Sequence, residues 1–172
     1  WLARLNAYVD WCDTAISNMK IGKAHGYTIP KSLTLKAIPQ FADLAKGPVE
    51  NHLFYSPIKN FPTDFNEDDK KNLTIAYKEI ISNKIIPVHQ KMATFLQKEY
   101  LPACRASSGI SAIPAGNEYY NYLIKQHTTT NLTADEIFKI GQNEVERISN
   151  EMIKVKEQVS FKGDLKSFFN EL

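Results

Sequence analysis

Apolar residues recur along this chain at helical spacing. Leu2, Leu5, Val9, Cys12, Ile16 and Met19 are separated by 3, 4, 3, 4 and 3 positions, the stripe of an amphipathic helix. That helix is expected from about Trp1 to Ile21, ended by Gly22 and Gly26. Pro30 suits the first turn of a second helix, with Leu33, Ala37, Phe41 and Leu44 on its inner face. Pro39 should kink or split it, and Gly47-Pro48 should end it. Residues 48–65 carry Pro48, Pro57 and Pro62 among Phe54, Tyr55, Phe61 and Phe65, which predicts a loop pinned by its aromatics. Asp64 or Asn66 can cap the next helix, whose acidic start suits the positive end of a helix dipole. Leu73, Tyr77, Ile80, Ile81, Ile85, Val88, Met92, Phe95, Leu96 and Tyr100 then stay in helical phase across Pro87, predicting one long kinked helix. A small-residue loop follows over 104–117, and then the C-terminal helices. Of these, Tyr119 begins one that ends near His127. Thr133-Ala134-Asp135-Glu136 reads as a capping box opening another, with Ile137, Ile140, Ile148, Met152, Val155 and Val159 on one face. Gly163-Asp164 should close it and start the last helix.

No strand pair or internal repeat interrupts this pattern, so the expected fold is all-α. It is an irregular multi-helix array treated as a single helical domain or fragment over 1–172. Its parts are a helical pair at 1–47, a proline-rich loop at 48–65, a long kinked helix at 66–103, a loop at 104–117 and C-terminal helices at 118–172. The chain starts and stops inside periodic segments, which makes it read as a piece of a longer protein. Leu2, Leu5 and Phe168 or Phe169 are then expected to expose apolar surface to the remainder of the parent chain, or to a second copy in a homodimer.

Composition narrows the function classes. Of 172 residues, 21 are basic and 19 acidic, for a net charge of +2, and no basic excess of the kind that tracks a nucleic-acid backbone is present. No apolar run approaches the roughly 20 residues of a transmembrane helix. Two cysteines, Cys12 and Cys104, cannot build a disulfide framework or a four-cysteine zinc site. Cys12 belongs to the first apolar stripe and reads as core. Cys104 reads as an unreactive loop thiol beside Arg105, and a bond between the two is left open. His25, His52, His89 and His127 lack the spacing of two histidines four apart on a helix that zinc peptidases use, and scattered histidines of this kind are mostly surface or loop residues. No cofactor or metal site is expected in this chain, and no catalytic residue. The unusual segment is Arg105 to Tyr120, which gathers one of three arginines, two glycines and an aromatic pair on a long loop. Arg105 could pair with a substrate carboxylate, Gly116 would allow close backbone approach, and Tyr119 or Tyr120 could donate a phenolic hydrogen bond.

The same region carries a family resemblance. Ile113-Pro114-Ala115-Gly116-Asn117-Glu118-Tyr119-Tyr120, Leu123, the run Thr128 to Ile137, Gly141 and Glu144-Val145-Glu146-Arg147-Ile148 resemble a large group of bacterial cell-envelope proteins catalogued as domain of unknown function 885. Gly26-Tyr27-Thr28-Ile29-Pro30, Tyr55-Ser56-Pro57, Phe161-Lys162-Gly163-Asp164-Leu165 and Phe168-Phe169 also fit, so the resemblance covers most of the chain. It implies a protein several times longer and mostly helical, often a lipoprotein, similar to zinc peptidases of the gluzincin type such as neurolysin and angiotensin-converting enzyme. Their HExxxGH-like zinc motif would lie beyond Leu172, so no zinc ligand or catalytic glutamate is carried onto this chain. The resemblance therefore implies the N-terminal helical part of an envelope metallopeptidase-like protein, lining a peptide cleft whose zinc is held elsewhere. The alternative is a helical envelope module that binds a peptide or partner without cleaving it.

Overall fold

The structure, a computed structural model, describes residues 1–172 and contains no strand. It falls into two compact units, Trp1–Pro114 and Ala115–Leu172. The nearest boundary expected from the sequence is the one drawn after 117.

In the first unit, α1 spans Leu2–Ala24 and α2 Lys31–Leu44. Gly22 does not stop α1, which runs two residues past it. The stop is a Schellman motif: Tyr27 N–H donates to Gly22 O at 2.8 Å, Gly26 N–H to Lys23 O at 3.2 Å, and Gly26 takes φ +82°. The helix α2 is not split at Pro39, which lies inside it. Its inner face also differs from the expected one. Thr34 is fully buried while Leu33 is about half exposed, because Thr34, Ala37, Ile38 and Phe41 form the face turned to the core. Residues 48–65 hold more helical structure than a loop: two 3-10 turns, Val49–Asn51 and Leu53–Tyr55, and the single-turn α3, Ser56–Lys59.

The long helix is continuous from Glu67 to Ala103 and widens twice into a π turn. It comprises α4 (Glu67–Ile80), a π turn at Ile81–Ile85, α5 (Ile86–Phe95), a second π turn at Leu96–Tyr100 and a closing 3-10 turn. Asn66 caps it, accepting from Asp69 N–H at 2.7 Å. Each π turn ends two residues before a proline, Pro87 or Pro102. Proline lacks an N–H and its ring crowds the carbonyl four residues back. A π turn loosens the backbone at that place: Ile86 N–H reaches back five residues to Ile81 O, and Leu101 N–H to Leu96 O. The helix thereby passes Pro87 while its apolar stripe stays turned inward.

That stripe is the spine of the core. Ile80, Ile81, Ile85 and Tyr77 pack with Leu5 and Tyr55 at one end, and Val88, Met92, Phe95, Leu96 and Tyr100 pack with Cys12 and Ile16 at the other. Tyr8 and Val9 touch both clusters. Burying an aliphatic side chain of this size stabilises by roughly 1.5–3 kcal/mol. Leu5 is part of this core and not the exposed end expected from the sequence.

The second unit holds α6 (Gly116–Thr128), α7 (Ala134–Gln158) and α8 (Leu165–Glu171). The α7 capping box forms in both directions: Glu136 N–H donates to Thr133 Oγ1 at 3.3 Å, and Thr133 N–H to Glu136 Oε2 at 2.7 Å. The helix closes at Gln158, before the expected Gly163. Ser160 takes φ +59°, with Phe161 N–H donating to Lys156 O and Ser160 N–H to Glu157 O, the same cap as in α1 built on serine. Asp164 then caps α8 through Ser167 N–H at 2.7 Å. Phe168 is buried against Phe161 at 5.3 Å between ring centres, while Phe169 is half exposed.

Candidate functional site

The Arg105–Tyr120 segment begins where the first unit closes on itself. Lys31 N–H donates to Arg105 O at 2.9 Å, joining the start of α2 to the loop. Ile29 N–H donates to Tyr100 Oη at 3.1 Å beside it. The Arg105 guanidinium turns inward: Nε donates to Thr28 O at 2.9 Å, and Nη1 donates to Ser107 O and Gly109 O. These three carbonyls make Arg105 a staple for its own loop. Pro114 lies against Gly26, where an added Cβ would come within 3.4 Å of its ring.

Gly116 is the buried first residue of α6, entered through Ala115 at φ +53°. Tyr119 and Tyr120 are half exposed on that helix, and Tyr119 stacks on Tyr122 with ring centres 6.4 Å apart. Gly116, Tyr119 and Tyr120 thus share one helix of the second unit, and Arg105 belongs to the first.

Cys104 Sγ lies 3.0 Å from Thr34 Oγ1 and donates to Tyr100 O at 3.3 Å. Cys12 is fully buried, and both thiols are free. Burial pushes the Cys12 thiol up, away from the thiolate a nucleophile needs.

Sequence reasoning missed a second constellation. His52 and His89, 37 positions apart in the chain, stack with ring centres 6.0 Å apart in the interior of the first unit. Both are buried, His89 on the long helix and His52 in the bend between the two 3-10 turns. Tyr8 Oη lies 2.9 Å from His89 Nε2, and no group reaches His89 Nδ1. His52 Nδ1 accepts from Phe54 N–H at 3.1 Å, so its Nε2 carries the proton and donates to Leu44 O at 3.0 Å. Burial, reinforced by the neighbouring His52, pulls His89 down to about 4. Burial also lowers His52, opposed by its bond to Leu44 O, and raises the Tyr8 phenol. The available signal was phase: His89 follows Val88 and precedes Met92 on the inward stripe. No three histidine, cysteine or acidic side chains converge as a metal set.

An open groove of about 490 Å³ runs between α1 and the first π turn with the start of α5, with Asn6, Asp10 and Asp13 facing Asn83, Lys84 and Lys91. Two of its cross-groove pairs are already made, Lys91–Asp13 and Lys84–Asn6, both at 2.7 Å. Pro87 has no N–H for the carbonyls of Ser82 and Asn83, its π- and α-register partners on this wall.

No helix is long and apolar enough to cross a membrane. No curated protein matches the chain. Among solved structures, the putative lipoprotein from Colwellia psychrerythraea is similar, with a TM-score of 0.80 and 25% identity. The match takes in 95% of this chain and 28% of that one, so the chain spans less than a third of that protein's length. The family described as bacterial protein of unknown function, DUF885, matches residues 1–172. The chain belongs to the bacterial DUF885 family.

Proposed function

We propose that this chain is the N-terminal helical part of an envelope-associated, zinc-metallopeptidase-like lipoprotein, and that it supplies one wall of a peptide cleft whose metal is held by the remainder of that protein. The observation that carries the reading is the fit of 95% of this chain onto 28% of the structure described as the putative lipoprotein from Colwellia psychrerythraea. The exposed apolar face of α7 supports it. Ile140, Ile148, Met152, Val155 and Val159 are all between 40 and 61% exposed, and an apolar stripe of that extent marks an interface. Here it is assigned to the remainder of the chain, with a homodimer as the other occupant. Each unit offers its own candidate contact: in the first, Arg105 for a substrate carboxylate, and in the second, the exposed Tyr119 or Tyr120 hydroxyl as a hydrogen-bond donor, while Gly116 is buried at the start of α6.

The test is made in the longer protein. Tyr120→Phe should lower kcat/KM on a peptide substrate about tenfold, the worth of one hydrogen bond made in the transition state, with an unchanged melting temperature. Arg105→Ala should lower it further and also loosen the loop it staples, so Arg105→Lys serves as its partner variant. Unchanged kinetics in all three returns the segment to packing and turn formation. Peptide binding without turnover or bound zinc selects the non-enzymatic module instead. The 172-residue chain by itself should neither hold stoichiometric zinc nor cleave peptide, because hydrolysis needs three protein ligands, an open position for water and a base.

A further inference from the structure

We propose that His52 and His89 form an acid-triggered latch that holds the segment Val49–Tyr55 on the core of the first unit and releases it when either imidazole takes a proton. The geometry requires both rings to be neutral. His52 Nδ1 caps the Leu53–Tyr55 turn by accepting the Phe54 N–H, and a proton on that nitrogen removes the acceptor. His89 has one free nitrogen, Nδ1, fully buried and without a partner. In the tautomer that donates Nε2–H to Tyr8 Oη, a proton on Nδ1 makes the ring cationic among the rings of Tyr8, Phe41 and Phe54, which lie 5.6–6.2 Å from the imidazole. A buried charge without a partner is costly.

Nothing packed around the pair offsets that charge. From α1 come the Tyr8 phenol and the Cys12 thiol, from α2 the Phe41 ring and the Leu44 carbonyl, and from the segment itself His52. Asp13 of α1 pairs with Lys91 of α5 at 2.7 Å and Asp43 of α2 pairs with Lys46 at 3.2 Å, both on the surface. Glu50 pairs with Lys78 at 2.8 Å. With the two rings stacked, a first proton on either disfavours a second on the other. Opening the segment lets His52 and then His89 reach water, carries Val49, Phe54 and Tyr55 off the core, and bares Tyr8.

Amide hydrogen exchange, expressed as protection factors to remove the intrinsic pH dependence, tests this. Between an ordinary imidazole near 6.5 and a buried one near 4, the opening constant at Phe54 and Tyr55 should rise up to about tenfold per pH unit, roughly a hundredfold in all. Amides of α4 and of the π turn at Ile81–Ile85 should hold. His52→Asn, which keeps a capping oxygen without a titrating nitrogen, and His89→Gln should each weaken the response, and the double variant should abolish it. Protection at Phe54 and Tyr55 that stays constant down to pH 4 overturns the latch. So does a loss of protection shared equally by every amide, or an acid response that survives in the double variant. Should the double variant not fold, imidazole titrations in the native protein decide. Both rings titrating in step with the Phe54 and Tyr55 amides upholds the latch, and rings titrating near 6.5 under protected amides rejects it.

Discussion

The long helix and α7 carry equally plain apolar stripes in sequence, yet one is sealed and the other is open. From Tyr77 to Tyr100 the stripe is buried by α1, α2 and the Val49–Tyr55 segment. Along α7 no residue is buried, and in the whole second unit only Gly116 and Phe168 are. Helical periodicity fixes which face is apolar. It says nothing of what covers that face, because the covering atoms come from elsewhere in sequence. The first unit satisfies its stripe internally, whereas the second presents one.

The sharpest break of this comparison is a pair of truncations. Ile85→Ala, at a fully buried position, should cost about 3–4 kcal/mol in chemical denaturation, combining lost transfer energy with a cavity. Ile148→Ala, 41% exposed, should cost less than about 1 kcal/mol in the 172-residue chain. If Ile148→Ala costs as much as Ile85→Ala there, the α7 face is already covered in solution, and light scattering should then show a dimer. If a longer protein covers the α7 face as proposed, the two costs should converge there.

The caps offer a second contrast, since one left-handed geometry is built twice from different residues. Gly26 at φ +82° closes α1, and Ser160 at φ +59° closes α7. A side chain in this region costs roughly 1–2 kcal/mol. Gly26→Ala should therefore destabilise the first unit by about that amount, the more so because the new methyl meets Pro114 at 3.4 Å. Ser160→Gly should relieve strain and raise stability by up to about 1 kcal/mol. A neutral or destabilising Ser160→Gly would show that the Ser160 turn is not retained in solution.

These cases show what was legible in the sequence and what was not. Local signals read directly: the capping box at Thr133, the caps at Asn66 and Asp164, and the phase of the long helix across Pro87. Each depends on residues within a few positions of one another. Long-range choices did not read. Thr34 is buried and Leu33 exposed because α2 sits where Thr34 can meet Cys104 Sγ, a partner 70 positions away. The turn of the Arg105 guanidinium onto three carbonyls did not read, because backbone acceptors carry no signature in sequence. His52 and His89 looked unrelated because only folding brings them together. Gly22 looked like a stop, but its place in the cap is as the carbonyl that receives Tyr27 N–H.

The smallest effect separates the units by acid. The Glu136 carboxyl is held below the usual carboxylate range by the Thr133 backbone N–H and then by its hydroxyl. A lowered pKa means that the bond stabilises at pH values above the ordinary carboxylate pKa near 4.3 and is lost as pH falls through the lowered value. Glu136 lies at the surface, so solvent screens the contact and the loss should be confined to fraying of the first turn of α7. Asp164, lowered by its bonds to Ser167, should behave in the same way at the start of α8. The first unit should respond earlier, because its buried imidazoles begin to draw protons below about 6.5. Acidification from pH 7 should thus open Val49–Tyr55 first and fray the α7 and α8 caps only below about pH 4, when both are followed by amide exchange in one sample. Thr133→Ala, which removes the hydroxyl that caps α7, should raise the pH at which its first turn frays and leave the opening of Val49–Tyr55 where it was. Fraying of α7 before that opening would mean that the capping box is the weaker of the two, and that the open unit is held together less by its caps than their geometry implies.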